Sequence, residues 1–470
     1  MLFNSFEFAT FFVVILLLYN LVVFRARSTI LLIASYFFYA YTDWLYLILL
    51  GVVTTTAFVF GKILENNRDK WLLAGAIVTS SIPLLFFKYF SLVKSLFFID
   101  NYSYREIRIF VPIGISFFTL QALSYLFDVY RKRISAEHNP QIFALYLAFF
   151  PQILAGPIER ATNLIPQLLN FQRTKLENVL IGSKILLWGL FCKLVIADKI
   201  ALVVNPIIAE HQVHSGLTLL ITFCLYSFQI YYDFYGYTQI AIGIARFFGI
   251  RLSPNFKNPY LATSVVDFWK RWHITLSTWF RDYFYIPLGG KHCSLPKYFA
   301  VIIGVFCLSG LWHGASLNFL LWGFLHGTFY LLVIGYRALG FSLLSQFPLV
   351  LQLLLRRTGT FLFVSLAWIF FRVESIETIW NILKKIFHLD SSIAYWSLEE
   401  ISFSSGTILL LLGIVLIFRA QACGYVDFLV DMVPRTNWCI AREVVLVDLL
   451  LVILIAIGDI GSKEFIYFRF

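Results

Sequence analysis

Apolar runs of membrane-crossing length recur from one end of the chain to the other. Residues 11–24 read FFVVILLLYNLVVF, and residues 444–458 read VVLVDLLLVILIAIG. About 20 apolar residues in a helix cross the hydrocarbon core of a bilayer. Helices and closed barrels are the only structures that satisfy their backbone polar groups there. A barrel would need alternating segments of about 10 residues, and these runs are continuous. Of the 470 residues, 60% are hydrophobic and 13% charged, against about 25% charged in a soluble domain. The pattern predicts an all-α, polytopic membrane protein.

Candidate spans lie near 6–24, 29–50, 51–61, 71–90, 110–129, 141–156, 179–204, 217–249, 299–309, 315–337, 359–372, 405–419 and 443–460. Allowing for short pieces, this predicts about eleven transmembrane helices in a single membrane domain over 1–470. IPLLFFKYF (82–90) and FFPQILAGPIE (149–159) carry Pro and Gly. Such breaks are tolerated where protein or water covers the backbone, so both predict re-entrant or tilted pieces around a cavity. The first residues, MLFNSFEFATFFVVILLLYN, lack a basic leader and a small-residue cleavage site, which predicts a retained first helix.

The net charge of +11 is not a nucleic-acid signal, because the basic residues stand in short segments rather than a tail. Arg25–Arg27, the group Lys62, Arg68 and Lys70, and Arg131–Arg133 fall on one side if spans alternate. By the positive-inside rule that side is cytoplasmic and the N-terminus is outside. The 88–108 segment runs against this, with Lys88, Lys94, Arg105 and Arg108 on the outer side. Six cysteines are scattered without a CxxC pair, so neither a disulfide framework nor a zinc site is expected.

Residues 251–297 change character. They are polar, aromatic and rich in turn formers, and too long for a simple connection. An amphipathic interfacial helix is predicted over 264–281. Val265, Trp269, Trp272, Leu276 and Trp279 would share its apolar side, with Lys270, Arg271 and Arg281 available to phosphates.

Histidines give the best candidates for chemistry. His313 stands in GLWHGAS at the end of an apolar run. Ionisable groups at membrane depth are expensive and usually face a cavity or a path, and an imidazole can accept and return a proton near neutral pH. A packing histidine is the competing reading. His273, in FWKRWHITLSTW, is either a second imidazole folded beside the first or an interfacial residue. His326 follows His313 by thirteen residues, about 220° around one straight helix, and reads as structural. His211 and His214 form an HxxH pair, but no acidic third ligand accompanies them, and no metal is expected. GxSxG, P-loop and GxGxxG patterns are absent. Asp233 lies among Tyr231, Tyr232, Tyr235 and Tyr237. It would orient a histidine or pair with Arg246 or another base.

Taken together, these motifs resemble the membrane-bound O-acyltransferase family, and within it the bacterial alginate O-acetyltransferase-like branch. The stretches that carry the resemblance are MLFNSFEF, LLIASYFFYAYTD, FFKYF, VPIGISFFTLQALSYLFDVYR, FFPQILAGPIER, QIYYDFYGYTQIAIGIARFFG, NPYLATSVVDFWKRWHITLSTWFRDYFYIPLGG and LSGLWHGASLNFLLWGFLHG, in that order. The closing FIYFRF is similar to the branch's FIYFQF. The resemblance implies the family fold, a helical ring thinned at its middle, with re-entrant helices and a cytosolic funnel meeting an outward opening at the histidine. It implies His313 as the catalytic residue and His273 as the second key position. It also implies transfer of an acetyl group from cytoplasmic acetyl-CoA, as donor substrate rather than bound cofactor, across a bacterial inner membrane. The acceptor would be an extracellular or periplasmic polysaccharide, reached through an exported partner protein. Lys270, Arg271 and Arg281 are the candidates to hold the donor's phosphates. The expected surroundings are membrane lipids, not nucleic acid.

Besides a scaffold role, two other functions stay open from sequence. One is a D-alanyl transferase of teichoic acid, fed by a carrier-protein thioester. The other is a transporter or flippase, which would also break its helices at buried polar groups, although no paired half-repeats are detectable here. A scaffold of a secretion complex would leave polymer acetylation intact when His313 is replaced.

Overall fold

The computed structural model of the chain describes residues 1–41, 43–97 (backbone alone from 91), 111–339, 346–388 and scattered residues between 413 and 454. The expected spans at 405–419 and 443–460 lie largely outside the described residues. Every regular element among the described residues is helical. The chain begins with α1 (Phe6–Leu21), whose cap Ser5 Oγ accepts the Phe8 N–H at 3.2 Å. Then come α2 (Phe24–Ala40), α3 (Leu45–Asn66), α4 (Lys70–Phe97) and α5 (Ile115–Tyr130). Short helices follow: α6 (Pro140–Ala148), α7 (Phe150–Ile153) and α8 (Ala161–Leu169). After them α9 (Leu176–Leu190) passes through a π-turn at Phe191–Ala197 into α10 (Asp198–Ala209), and α11 (Gly216–Phe247) is next. The short α12 (Val265–Phe268) and α13 (Ile274–Phe280) precede the long α14 (Leu295–His313), α15 (Leu317–Ala338) and α16 (Leu349–Arg372), then α17 (Ile376–His388).

Seven helical stretches among the described residues are long and apolar enough to cross a membrane: Leu45–Asn66, Lys70–Phe90, Leu176–Ala209, Gly216–Phe247, Leu295–His313, Leu317–Ala338 and Leu349–Arg372. Phe6–Leu21 and Pro140–Ile153 are apolar but shorter. The protein is therefore multi-pass and all-α, while the figure of eleven spans is not reproduced. Helix α11 runs through the interior, buried along most of its length, with α9, α10, α16 and α17 packed on it.

Several local expectations need correction. Residues 51–61 are not a separate span. They are the middle of α3, which begins where the Asp43 carboxylate accepts the Leu45 N–H at 2.9 Å. The 82–90 piece is unbroken, because α4 runs straight through Pro83. Lys88 is accordingly a helix residue and not part of an outer loop. The 149–159 piece does break, at Phe149 (φ −49°, ψ 108°) between α6 and α7. Residues 264–281 are not one interfacial helix. The chain turns between α12 and α13, and Val265, Trp272, Leu276 and Trp279 are buried inside the bundle rather than laid on a membrane surface.

The basic segments do gather at one end. Glu65 accepts the Ala136 N–H at 2.9 Å and meets His138 at 3.1 Å, while Gln141 donates to Ser28 at 2.8 Å and Thr29 at 2.9 Å. Arg131 donates to the Asp282 carbonyl at 3.0 Å, and Arg160 lies 3.6 Å from the Asp282 carboxylate. Arg27, however, is not in a loop. It is buried in the first turns of α2, 5.3 Å from the Tyr19 ring.

Candidate active site

Helices α14 and α15 form a tight hairpin, and small residues set its closeness. A Cβ at Gly310 would collide with the Phe319 carbonyl, and one at Gly323 with the Phe306 carbonyl. His313 is the last residue of α14. The helix stops there because Gly314 is extended (φ −160°, ψ 146°). His313 is not on one helix with His326, which lies on α15, so the straight-helix estimate of their separation does not apply. Trp322 instead stands against both rings, at 5.3 Å from His313 and 4.8 Å from His326.

A helix end leaves its final carbonyls without intrahelical donors. Here α4 supplies them. The Tyr89 hydroxyl donates to the Leu311 carbonyl at 2.8 Å, and Lys88 Nζ donates to the His313 carbonyl at 3.1 Å and to the Trp312 carbonyl. Lys88 is only 7% exposed and lies 5.6 Å from the centre of the Trp312 ring. Among the described residues no carboxylate pairs with it. A lysine at mid-membrane costs about 2.5–3.5 kcal/mol by insertion scales. Hydrogen bonds to a charged group return about 1.5–3 kcal/mol each, and the partial negative charge of a helix C-terminus adds to them. The two terms are comparable, and the Trp312 and His313 carbonyls are the partners the Lys88 side chain has there.

The His313 ring is 4% exposed and boxed by Trp312, Trp322 and Phe371, with centroids at 4.9, 5.3 and 5.2 Å. His273 is wholly buried and has left-handed backbone angles (φ 42°, ψ 56°) at the start of α13. Few non-glycine residues adopt that region, histidine more than most, and such outliers cluster at functional sites. Asn255 fixes the turn. Its carbonyl accepts the Ile274 N–H at 2.8 Å and its side chain the Thr275 hydroxyl at 2.6 Å. The His273 ring packs edge-on against Phe234 at 4.8 Å and Trp312 at 5.9 Å. Trp312 thus touches both imidazoles, which are forty residues apart in sequence.

A cavity of about 420 Å³ lies nearby; His273, His313 and Trp312 are not in its lining, which reaches their chain neighbours Ile274 and Ser309. Trp269, Ile302 and Phe306 form apolar wall, Ser277, Thr278 and Ser309 add hydroxyls, and Lys270 and Arg281 line it from exposed positions. It extends to the buried Ser309, one helical turn before His313. Trp269 is held in that wall by donating Nε1–H to His326 Nδ1 at 3.3 Å.

The fold therefore brings His273 and His313 to one indole and places Lys270 and Arg281 on the cavity. Arg271 goes elsewhere, donating to the Asp267 carboxylate at 2.8 Å. His211 and His214 lie at a loop whose carbonyls accept Lys385 Nζ. No cluster of three or more metal-ligating side chains occurs among the described residues. Asp233 pairs with a base, Lys193, at 2.5 Å. Sequence reading passed over Lys88, Tyr89 and the His326–Trp269 bond. The signal for the first was present, as a lone cation within an apolar run.

The profile of the membrane-bound O-acyltransferase family matches residues 84–340, more than half of the chain and a stretch that includes both histidines, the cavity and Lys88. The chain is similar to the peptidoglycan O-acetyltransferase of Helicobacter pylori, 36% identical over 411 residues that cover 79% of this chain and 76% of that protein. It is also similar to the probable alginate O-acetylase AlgI of Pseudomonas aeruginosa, 35% identical over 414 residues covering 86% and 77%. The teichoic acid D-alanyltransferase of Bacillus subtilis is more distant, 25% identical over 300 residues covering 59% and 74%. Similarity of that extent, on a bundle with seven membrane-competent helices, identifies an enzyme: the chain belongs to the membrane-bound O-acyltransferase family.

Proposed function

We propose that the protein takes an acetyl group from cytoplasmic acetyl-CoA and passes it across a bacterial inner membrane for O-acetylation of a polysaccharide, by way of an exported partner protein. One observation carries the reading: two buried imidazoles flank Trp312 near a cavity that runs from exposed cations, Lys270 and Arg281, to the turn before His313. The cavity is of ligand size. Cations at its exposed end suit a nucleotide's phosphates, and apolar walls suit the thioester arm. That end also adjoins the gathered basic segments, as expected of a cytoplasmic face.

His313 is the general base. It takes the proton of an acceptor hydroxyl as that oxygen attacks the thioester carbonyl. The tetrahedral intermediate places negative charge on the former carbonyl oxygen, where His273 is the candidate donor. Collapse breaks the carbon–sulfur bond, and the departing thiolate recovers the proton from His313. The products are an O-acetyl ester and free CoA. Acetyl is preferred over D-alanyl because the relatives named for O-acetylation are more similar, over more of the chain, than the one named for D-alanyl transfer.

The test uses purified protein with radiolabelled acetyl-CoA and an oligosaccharide acceptor, supplemented with the periplasmic fraction of the source cells to supply the exported partner, together with the acetyl-ester content of polymer from the expressing cells. Wild type releases CoA and forms ester. H313A does neither while staying folded. Turnover of a D-alanyl carrier thioester with none of acetyl-CoA would reverse the choice of donor.

A further inference from the structure

We infer that Lys88, assisted by Tyr89, is the positioning residue for His313: a buried ammonium from α4 grips the broken end of α14 and sets the imidazole in place. The inference rests on the functional reading of His313 given above. It starts from the break itself. Gly314 leaves the helix extended, so nothing downstream in the same helix steadies the last turn. The carbonyls of Leu311, Trp312 and His313 are taken instead by two adjacent residues of α4, the Tyr89 hydroxyl on the first and Lys88 Nζ on the other two. Three consecutive carbonyls of one turn are thereby tied to a second membrane helix.

The choice of partner matters. Lys88 has no carboxylate among the described residues, and its charge is met by the helix terminus and by the face of Trp312 at 5.6 Å. Trp312 is also the ring that both His313 and His273 touch. One ammonium therefore fixes the backbone that carries the base and the indole that separates the two imidazoles. A methyl or thioether in its place would leave the turn free to unwind by a fraction of an ångström. Misplacement of a reacting group by about 1 Å can lower a rate about 100-fold.

The experiment compares K88M, K88R, Y89F and H313A with wild type in purified, folded enzyme, reading kcat and KM for acetyl-CoA. Melting temperature and amide exchange over 308–316 are measured alongside. K88M is expected to lower kcat by about 10–100-fold with KM within about twofold. Its melting temperature stays near wild type, and exchange over 308–316 rises. K88R keeps a cation on the same carbonyls and recovers most of the rate. Y89F removes one hydroxyl and lowers kcat by about 2–5-fold. Wild-type kcat in K88M overturns the inference, as does a loss that disappears when turnover is expressed per folded molecule. If K88M does not fold, Y89F decides alone, and unchanged kcat there overturns it. Full turnover by H313A, or none by wild type, sinks the functional reading and this inference together. An inactive H313A beside a fully active K88M sinks this inference only.

Discussion

Lys193 and Lys88 both lie inside membrane-spanning helices, yet their surroundings differ in kind. Lys193 sits in the π-turn between α9 and α10 and meets two carboxylates, Asp198 at 2.9 Å and Asp233 at 2.5 Å. The extra residue of a π-turn places its ammonium between its own helix and α11. That set ties α9, α10 and α11 together, with all three charged groups buried. Among the described residues Lys88 meets backbone carbonyls and an aromatic face but no carboxylate, and those carbonyls belong to the turn that ends in His313. Buried charge in a membrane is commonly taken as a mark of function. The contrast shows that partner type is the sharper mark. A charge closed by opposite charges joins helices, whereas a charge spent on a helix terminus controls what that terminus carries.

Replacing His313 breaks the comparison at its strongest point. H313A should lower turnover by about 10²–10⁴-fold, the range of positioned proton transfer, with little change in melting temperature, read in the labelled acetyl-CoA assay. K193M should do the opposite. It breaks a buried ion pair to each of two carboxylates, a loss of about 3–5 kcal/mol. Detergent-solubilised K193M should therefore melt well below wild type, while the molecules that remain folded keep near-normal kcat. A K193M enzyme that is stable but catalytically impaired would erase the distinction from Lys88.

Smaller effects test the cavity. K270A and R281A each remove one exposed cation from its lining. Each should raise KM for acetyl-CoA by up to about tenfold, equivalent to about 1.4 kcal/mol, with kcat unchanged. Added salt should raise the wild-type KM in the same direction, because exposed charges are screened. A KM that neither variant moves would place the donor elsewhere.

The helical class was legible because continuous apolar runs admit little else in lipid. The break at Phe149 was legible from its neighbours Pro151 and Gly156. Pro83 misled because a membrane helix tolerates proline when neighbours cover the backbone. Lys88 fell at once in the apolar window that closes at Phe90 and in the basic 88–108 segment, whereas the helix runs on to Phe97. The 264–281 stretch has the spacing of one helix. Its interruption at His273 depends on a left-handed backbone at a residue that is not glycine, anchored by Asn255 eighteen positions upstream. Sequence pattern carries no such information. The pairing of His273 and His313 on one indole was likewise beyond periodicity, since it arises from packing of segments forty residues apart.

Arg271 gives the finest test, because it neighbours Lys270 in sequence and has the same charge. In the turn between α12 and α13 the chain sends Lys270 to the cavity. Arg271 is sent back along α12, where its guanidinium donates to Asp267 at 2.8 Å and to the Lys257 carbonyl at 3.4 Å. A half-exposed ion pair of this i,i+4 kind contributes only about 0.3–0.5 kcal/mol. R271A should thus keep KM within about twofold of wild type and lower the melting temperature by a degree or so. Charge alone would make the three cations equivalent; Lys270 and Arg281 line the cavity, Arg281 while also donating to the Asp282 carboxylate at 2.8 Å, and Arg271 does not line it. If R271A raised KM as far as R281A does, the phosphates would have to reach past the cavity to the α12 side, and the assignment of its exposed end would have to move with them.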